Sequence, residues 1–158
     1  MLDVLEVRIV DRRDFLLMGT AAVLATAFFA GAAAGDDKSP GFDEALKKIT
    51  GDAKPIESKI ALELPEIAEN GNTVPFNVAV DSPMTEKDYV KAIHVLSTGN
   101  PQALVATFHL TPASGKAAVS SRMRLAKTQD IYALAELSDG KVLLGKRTVK
   151  VTIGGCGG

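Results

Sequence analysis

The feature that most constrains the fold is the hydrophobic period, which becomes two from Lys59 onward. It is clearest where Val74, Phe76, Val78 and Val80 occupy every second position of one segment. A period of two places alternate side chains on opposite faces of a strand, so this segment is predicted to be a half-buried strand. Further strands are predicted at residues 59–64, 90–97, 103–110, 117–125, 131–137 and 147–153.

Turn-forming sequences separate the predicted strands. Clusters of Gly, Pro, Asn, Asp and Ser lie at residues 69–72, 81–83, 98–101, 111–115 and 138–140. Short strands joined by such turns, with no long helix between them, predict an all-β protein with an immunoglobulin-like antiparallel β-sandwich. A short amphipathic helix precedes the strands, because Phe42, Ala45, Leu46 and Ile49 share one helical face and Gly51 follows them.

Composition excludes several classes of function. The 158 residues carry 18 Lys or Arg and 19 Asp or Glu, a formal net charge of −1, which argues against a nucleic-acid partner because phosphate binding needs a basic surface. A single Cys excludes an internal disulfide and any multi-cysteine metal or iron–sulfur site. His94 and His109 lie in predicted strands without a third ligand nearby, so ordinary strand positions are favoured over a metal pair. We therefore expect neither a metal nor a cofactor.

The first 35 residues have the composition of an export signal. Arg12 and Arg13 precede an uncharged, Ala-rich stretch at 15–35 that ends in small residues. This pattern predicts a twin-arginine signal over residues 1–35, which is cleaved near its end, and hence a periplasmic protein. A retained membrane anchor is the alternative, because 21 uncharged residues can span a bilayer. The high Ala content favours the cleaved signal, which leaves no stable membrane anchor.

The last five residues are Gly154, Gly155, Cys156, Gly157 and Gly158. Four glycines give this backbone maximal conformational freedom, and three extended residues carry the sulfur about 10 Å beyond the preceding strand. A catalytic Cys needs a base, an oxyanion site and fixed geometry, none of which the glycines supply. Residues 154–158 are therefore predicted to be a swinging arm on a sandwich domain spanning 36–153, with Cys156 as a point of covalent attachment.

Residues 149–158 resemble the terminus of SoxY, the sulfur-carrier family of the Sox thiosulfate-oxidation system. Shorter segments resemble the same family in order and spacing, at 67–71, 74–75, 82–85, 88–90, 100–101, 122–126 and 139–140. The resemblance runs from residue 42 to residue 158 and includes the export leader. It implies an immunoglobulin-like fold and a carrier subunit rather than an enzyme.

The resemblance also implies a set of partners. The carrier forms a heterodimer with a SoxZ-like subunit, and Cys156 carries the pathway intermediates covalently. A SoxAX-like haem protein joins thiosulfate to this Cys, and a SoxB-like hydrolase removes the terminal sulfone as sulfate. A SoxCD-like sulfane dehydrogenase, where present, oxidises the sulfur that remains.

Other interpretations of the same residues stay open. The pair Gly157 and Gly158 is also found in ubiquitin-like sulfur carriers, whose terminal carboxylate becomes a thiocarboxylate. Alternatively, Cys156 forms a disulfide with a partner or a second copy, as a thiol-linked interaction module. Arg122 and Arg124 alternate on one strand face and are suited to bind sulfate-like anions, although a solvated or interfacial face is favoured.

Overall fold

The computed structural model of the protein describes residues 38–57 and 60–153. In these ranges, helix α1 (Phe42–Thr50) is followed by strands β1 (Ile56–Glu57), β2 (Ile60–Glu63), β3 (Ile67–Ala68), β4 (Val74–Val80), β5 (Val90–Ser97), β6 (Leu104–His109), β7 (Ala117–Met123), β8 (Gln129–Leu137) and β9 (Val142–Val151). A 3-10 turn at Pro112–Ser114 joins β6 to β7. The strands form two packed sheets, which confirms the predicted all-β sandwich.

The larger sheet has the order β1-β9-β8-β5-β6, and β3 also pairs with β9. The smaller sheet has the order β2-β4-β7. All long strands pair antiparallel, whereas the two-residue strands β1 and β3 run parallel to β9. Two residues are too few to show a period, so the sequence could not indicate β1 or β3.

The main core lies between the two sheets. Val74, Phe76 and Val78 of β4 point into it and are each at most 2% exposed. Ile93 of β5 and Ile131 of β8 meet them from the larger sheet and are fully buried. This packing explains the alternation in β4, because its other face is turned to solvent.

A second, smaller core covers the outer face of the larger sheet. Phe42 of helix α1 is 2% exposed and packs with Leu96 and Leu134, and its ring meets Tyr132 edge-on at 5.0 Å between centroids. The helix ends, as predicted, at Gly51, whose φ of +57° favours glycine. Strand β5 is buried almost continuously because cores lie on both of its faces.

The sandwich is closed where β2 approaches β9. Gly145 of β9 faces Ile60 of β2, and a Cβ at position 145 would lie 3.1 Å from the Ile60 Cγ2 atom. A side chain there would crowd the neighbouring strand, so glycine permits the two sheets to meet. Within the described part of the chain, no helix has both the length and the apolar character needed to cross a membrane.

Candidate functional site

The residues predicted to form the site lie outside the described ranges. These are Arg12, Arg13, Gly154, Gly155, Cys156, Gly157 and Gly158. The structure does describe the segment that carries Cys156, which is the end of β9. We call Val151, Thr152 and Ile153 the arm root, because Cys156 follows the last of them by three residues.

Strand β3 and the loop after it hold the arm root from one side. Thr152 donates its backbone amide to the carbonyl of Ala68 at 3.1 Å and its hydroxyl to the carbonyl of Glu69 at 2.9 Å. The carbonyl of Ile153 accepts a hydrogen bond from the amide of Gly71 at 2.8 Å. The parallel pairing of β3 with β9 sets this register, since Ala68 is opposite Val151.

The loop turns toward the arm root because of a local side-chain bond. The Asn70 side-chain oxygen accepts a hydrogen bond from the amide of Asn72 at 2.9 Å, which is the geometry of an Asx turn. Gly71 lies at this turn and is buried. Its carbonyl accepts the amide of Leu125 at 2.8 Å, so Gly71 connects the arm root to the segment after β7.

The segment from Arg124 to Thr128 holds the other side of the arm root. Thr128 accepts the amide of Val151 on its hydroxyl oxygen at 2.9 Å. Asn100 fixes this segment, since its side-chain amide donates to the carbonyl of Arg124 at 2.8 Å and its oxygen accepts the amide of Ala126 at 3.0 Å. Three separate parts of the chain therefore determine where the arm root ends.

Gln129 completes this support. It is 5% exposed, and its amide nitrogen donates to the Asn100 oxygen at 2.9 Å and to the carbonyl of Lys127 at 3.1 Å. Its own oxygen accepts the amide of Gly99 at 2.8 Å. A buried amide with all these bonds made is well satisfied. From the sequence, Asn100 is predicted only as part of a turn, and Gln129 is not predicted to belong to the site.

The surface around the arm root combines apolar and cationic groups. Ile153 is 68% exposed and Ile67 is 57% exposed. Both values are higher than those of Ile56 and Leu104, two other exposed apolar residues. Arg122 is exposed on the outer side of the smaller sheet, and Arg124 is exposed just beyond the end of β7. Neither arginine forms an ion pair with a described residue. The strand predicted at 117–125 ends at Met123, so Arg124 follows the strand instead of sharing a strand face with Arg122.

A cleft of about 300 Å³ on the larger sheet is lined in part by Thr128, the residue whose hydroxyl bonds to Val151 of the arm root. Asp130 at this cleft accepts bonds from the Lys146 ammonium at 2.7 Å and the Thr148 hydroxyl at 2.5 Å. Burial opposes ionisation of Asp130, but these two hydrogen bonds outweigh it and lower its pKa. Because the Asp130 carboxylate already accepts bonds from Lys146 and Thr148 and has a lowered pKa, it is poorly suited to act as a general base.

The two histidines lie on neighbouring strands but two register positions apart, since His94 is opposite Thr107 and His109 is opposite Ala92. His94 Nδ1 lies 3.0 Å from the Thr107 hydroxyl, while its buried Nε2 has no hydrogen-bond partner among the described residues. Burial lowers the pKa of His94, with the Glu136 carboxylate opposing this effect. In the described ranges, no group of three His, Cys, Asp or Glu side chains is placed to hold a metal ion.

Comparisons with known proteins decide the family. The family model described as "Sulfur oxidation protein SoxY" matches residues 46–156. The chain belongs to the SoxY family. The sulfur carrier protein SoxY of Chlorobium limicola f. thiosulfatophilum is 37% identical to it, with a TM-score of 0.59 over 70% of this chain and 96% of that one. A search of curated proteins gave no match.

A second, more distant structural match indicates only that the fold is shared. A superoxide reductase (neelaredoxin) from Ignicoccus hospitalis is 17% identical, with a TM-score of 0.54 over 60% of this chain and 80% of that one. At this identity the likeness shows a shared sandwich architecture. The membership in SoxY, a family of sulfur carriers, rests on the family model and on the Chlorobium protein.

Proposed function

We propose that this protein carries thiosulfate-derived sulfur as a covalent adduct on Cys156 and presents it to partner enzymes in the periplasm. The observation that carries the proposal is the position of Cys156, three residues beyond an arm root that three parts of the chain hold in place. The family match supports it, since the matched range ends at Cys156. Residues 1–35 are proposed to be the cleaved twin-arginine signal for this location.

The length of the tether supports a carrier role. Three residues span at most about 10 Å when extended, so the thiol of Cys156 can reach a short way beyond Ile153. Among the described residues, those that bond to the arm root are Ala68, Glu69, Gly71 and Thr128, and they do so through backbone groups and one hydroxyl rather than through an imidazole or a carboxylate. Chemistry on the thiol then depends on groups that other proteins bring to it.

The proposed sequence begins with attachment of the substrate. The Cys156 thiol and thiosulfate form a sulfur–sulfur bond and become a cysteine S-thiosulfonate, releasing one proton and two electrons. A haem protein resembling SoxAX is the acceptor of these electrons. This step needs an accessible thiol on the carrier and an oxidant on the partner, which matches the division of roles between the arm and the enzymes.

Removal of the product follows in the same proposal. Water attacks the terminal sulfone of the adduct, and a SoxB-like hydrolase releases sulfate and two protons, leaving a persulfide on Cys156. A SoxCD-like dehydrogenase then removes six electrons from the outer sulfur and adds three oxygens from water. A second hydrolysis frees sulfate and restores the thiol.

The proposed carrier acts as a heterodimer with a SoxZ-like subunit. Family membership supports this partner, because SoxY proteins are carriers of the Sox system. Strands β6 and β7 lie at open edges of the two sheets, and such edges are suited to a second sandwich protein. No nucleic-acid partner is proposed, in keeping with the near-neutral charge.

Intact mass spectrometry tests the proposal. Protein isolated from cells that oxidise thiosulfate should carry mass additions of one thiosulfonate group or one extra sulfur atom, and fragmentation should place them on Cys156. The variant Cys156→Ser should lose these adducts and the pathway activity. An unmodified thiol under every turnover condition, or full activity of the Ser variant, would overturn the proposal.

The same spectra separate the alternatives. A ubiquitin-like carrier would show sulfur in place of oxygen at the carboxylate of Gly158, with Cys156 dispensable. A thiol-linked interaction module would show a mixed disulfide that persists without turnover. Only a carrier gives adducts that appear with thiosulfate and disappear when the substrate is exhausted.

A further inference from the structure

We propose that Arg122 and Arg124 form an anion-binding surface that attracts sulfonate-bearing sulfur species to Cys156. The inference rests on the proposed function, because it concerns the ligand that Cys156 receives. Thiosulfate and a cysteine S-thiosulfonate both carry negative charge on sulfonate oxygens. Guanidinium groups bind such oxygens well, because their N–H donors match the planar spacing of oxyanions.

Both arginines are exposed, one on either side of Met123, the last residue of β7. Met123 between them is 4% exposed in the core, so Arg122, its neighbour in β7, points to the outer side of the smaller sheet, while Arg124 is exposed immediately beyond the end of the strand. Arg122 is opposite Pro75 in β4, a residue with no charge and no amide hydrogen. Neither arginine makes an ion pair or a side-chain hydrogen bond with a described residue.

The hydrogen bonds at the arm root bring Arg124 within reach of the Cys156 sulfur. The amide of Leu125 bonds to the carbonyl of Gly71, and the amide of Gly71 bonds to the carbonyl of Ile153. Two such steps between paired backbones separate Leu125 from Ile153 by about 10 Å. The tether from Ile153 to Cys156 spans about the same distance, so the sulfur and the guanidinium of Arg124 can meet.

Asn100 strengthens this placement. Its side-chain amide donates to the Arg124 carbonyl at 2.8 Å, and the buried Gln129 holds Asn100 in turn. The backbone from which the Arg124 side chain extends is therefore fixed relative to the arm root. A fixed charge attracts an anion with a smaller loss of conformational entropy than one on a mobile loop.

The distribution of charge along the sandwich favours the same end. The segments that build the arm root, at 66–71, 122–128 and 148–153, contain four cationic residues and two carboxylates. The four cations are Arg122, Arg124, Lys127 and Lys150, and the carboxylates are Glu66 and Glu69. The loop at 81–89, at the opposite end of β4, has three carboxylates and one Lys. An approaching anion is therefore steered toward the end that carries Cys156.

The test uses the isolated full-length chain and compares two reagents for the thiol. Tetrathionate is a dianion: the Cys156 thiolate attacks one of its two central sulfurs, a cysteine S-thiosulfonate forms, and thiosulfate leaves with the electron pair of the broken bond. Dithiodipyridine is a neutral disulfide that reports thiolate reactivity alone. The ratio of the two rates cancels any change in the pKa of the thiol and measures attraction of the anion.

Arg124→Gln and Arg122→Gln should each lower this ratio by about threefold at low ionic strength, and the double variant should lower it further. In high salt the ratio of each variant should approach the wild-type ratio, because counterions screen exposed charges. Arg124→Lys should retain most of the effect. Lys87→Gln is the matched control, since it removes one exposed cation from the opposite end of the sandwich.

An unchanged ratio in the double variant at low salt would overturn the inference, as would an equal decrease in Lys87→Gln. If the arginines instead bind an acidic protein surface, rates with partner enzymes would fall while the ratio stayed constant, which also counts against it. The result is separate from the carrier proposal, which depends on adducts formed during turnover. A thermal melt of each variant shows whether it is folded before its rates are compared.

Discussion

The amide of Gly71 donates a hydrogen bond to the carbonyl of Ile153 at 2.8 Å, and this bond joins the β3–β4 loop to the end of the arm root. Ile153 is therefore held at a defined point on the sandwich, and the distance that Cys156 can cover is counted from it. Any enzyme that acts on this sulfur must bring its own surface within about 10 Å of Ile153. In the proposed function, each partner enzyme therefore contacts or closely approaches the surface around the arm root.

Removing the Thr152 hydroxyl is expected to loosen the arm root. Thr152→Val keeps the side-chain volume but loses the bond to the Glu69 carbonyl at 2.9 Å. We expect a decrease of about 0.5–1.5 kcal/mol in the free energy of unfolding, as for a typical hydrogen bond. Hydrogen exchange should show faster exchange at Gly71, whose amide bonds to the adjacent Ile153. Unchanged exchange at Gly71 would contradict the prediction.

Removing the Asn100 side chain is expected to be more destabilising. Asn100→Ala removes one of the two acceptors of the buried Gln129 amide nitrogen, the one at 2.9 Å, and frees the Arg124 carbonyl. Losing a partner from a buried amide costs about 1–3 kcal/mol. Urea denaturation measures the change. Asn72→Ala is the matched control, because that side chain is exposed and makes no hydrogen bond in the described ranges; an equal effect there would contradict the prediction.

Adding a methyl group at Gly145 is expected to separate β2 from β9. In Gly145→Ala the new Cβ would lie 3.1 Å from Ile60 Cγ2 and 3.2 Å from Ile60 Cβ. Such crowding costs about 1–3 kcal/mol, which exceeds the gain of about 0.5–1 kcal/mol from replacing glycine within a strand. The same substitution in an Ile60→Ala background should be less destabilising. A purely additive double-mutant cycle would exclude the contact as the cause.

Protonation of His94 is expected to make stability fall in mild acid. Burial is the main cause that lowers the pKa of His94 below its usual 6.5. The Glu136 carboxylate, which is paired with Lys91, acts to raise this pKa, and His109 acts to lower it. As the pH falls from 6.5 to this lowered value, the unfolded chain binds a proton that the folded chain does not. The free energy of unfolding should therefore decrease through that window.

Denaturation measured at several pH values tests this behaviour. The variant His94→Gln should lose the decrease, because it has no titrating ring. His109→Gln, on the neighbouring strand β6, is the matched control and should keep most of it. A wild-type stability that is constant between pH 7 and the onset of acid denaturation would refute the prediction.

Periodic strands with one solvent-exposed face could be predicted from the sequence. Strand β4, whose outer face is exposed, spans Val74–Val80, the residues that the alternation indicated. Strand β5 also spans the predicted residues, Val90–Ser97, although cores cover both of its faces. The start of β9 could not be predicted from the sequence. The pattern indicated a strand from residue 147, whereas β9 begins at Val142. Val142 and Leu143 enter different cores, so both are buried and no alternation marks them.

The candidate site likewise has one part that could be predicted from the sequence and one part that could not. Cys156 stands out because four glycines surround the only Cys, a local feature that needs no fold to be seen. The support of the arm root could not be predicted, since Gly71, Leu125 and Ile153 are distant in sequence and meet through backbone bonds. Asn100 and Gln129 gave no signal because amide side chains are common in ordinary turns.

By itself, the sequence determined the all-β class, the helix before the strands and the choice of Cys156, because hydrophobic period and glycine spacing act within a few residues. Only the tertiary structure decided the partners of β9, the closure at Gly145 and the backbone bonds that connect Leu125 through Gly71 to the arm root. These depend on which backbone groups meet across long separations, and those contacts form only when the two sheets bury their shared core.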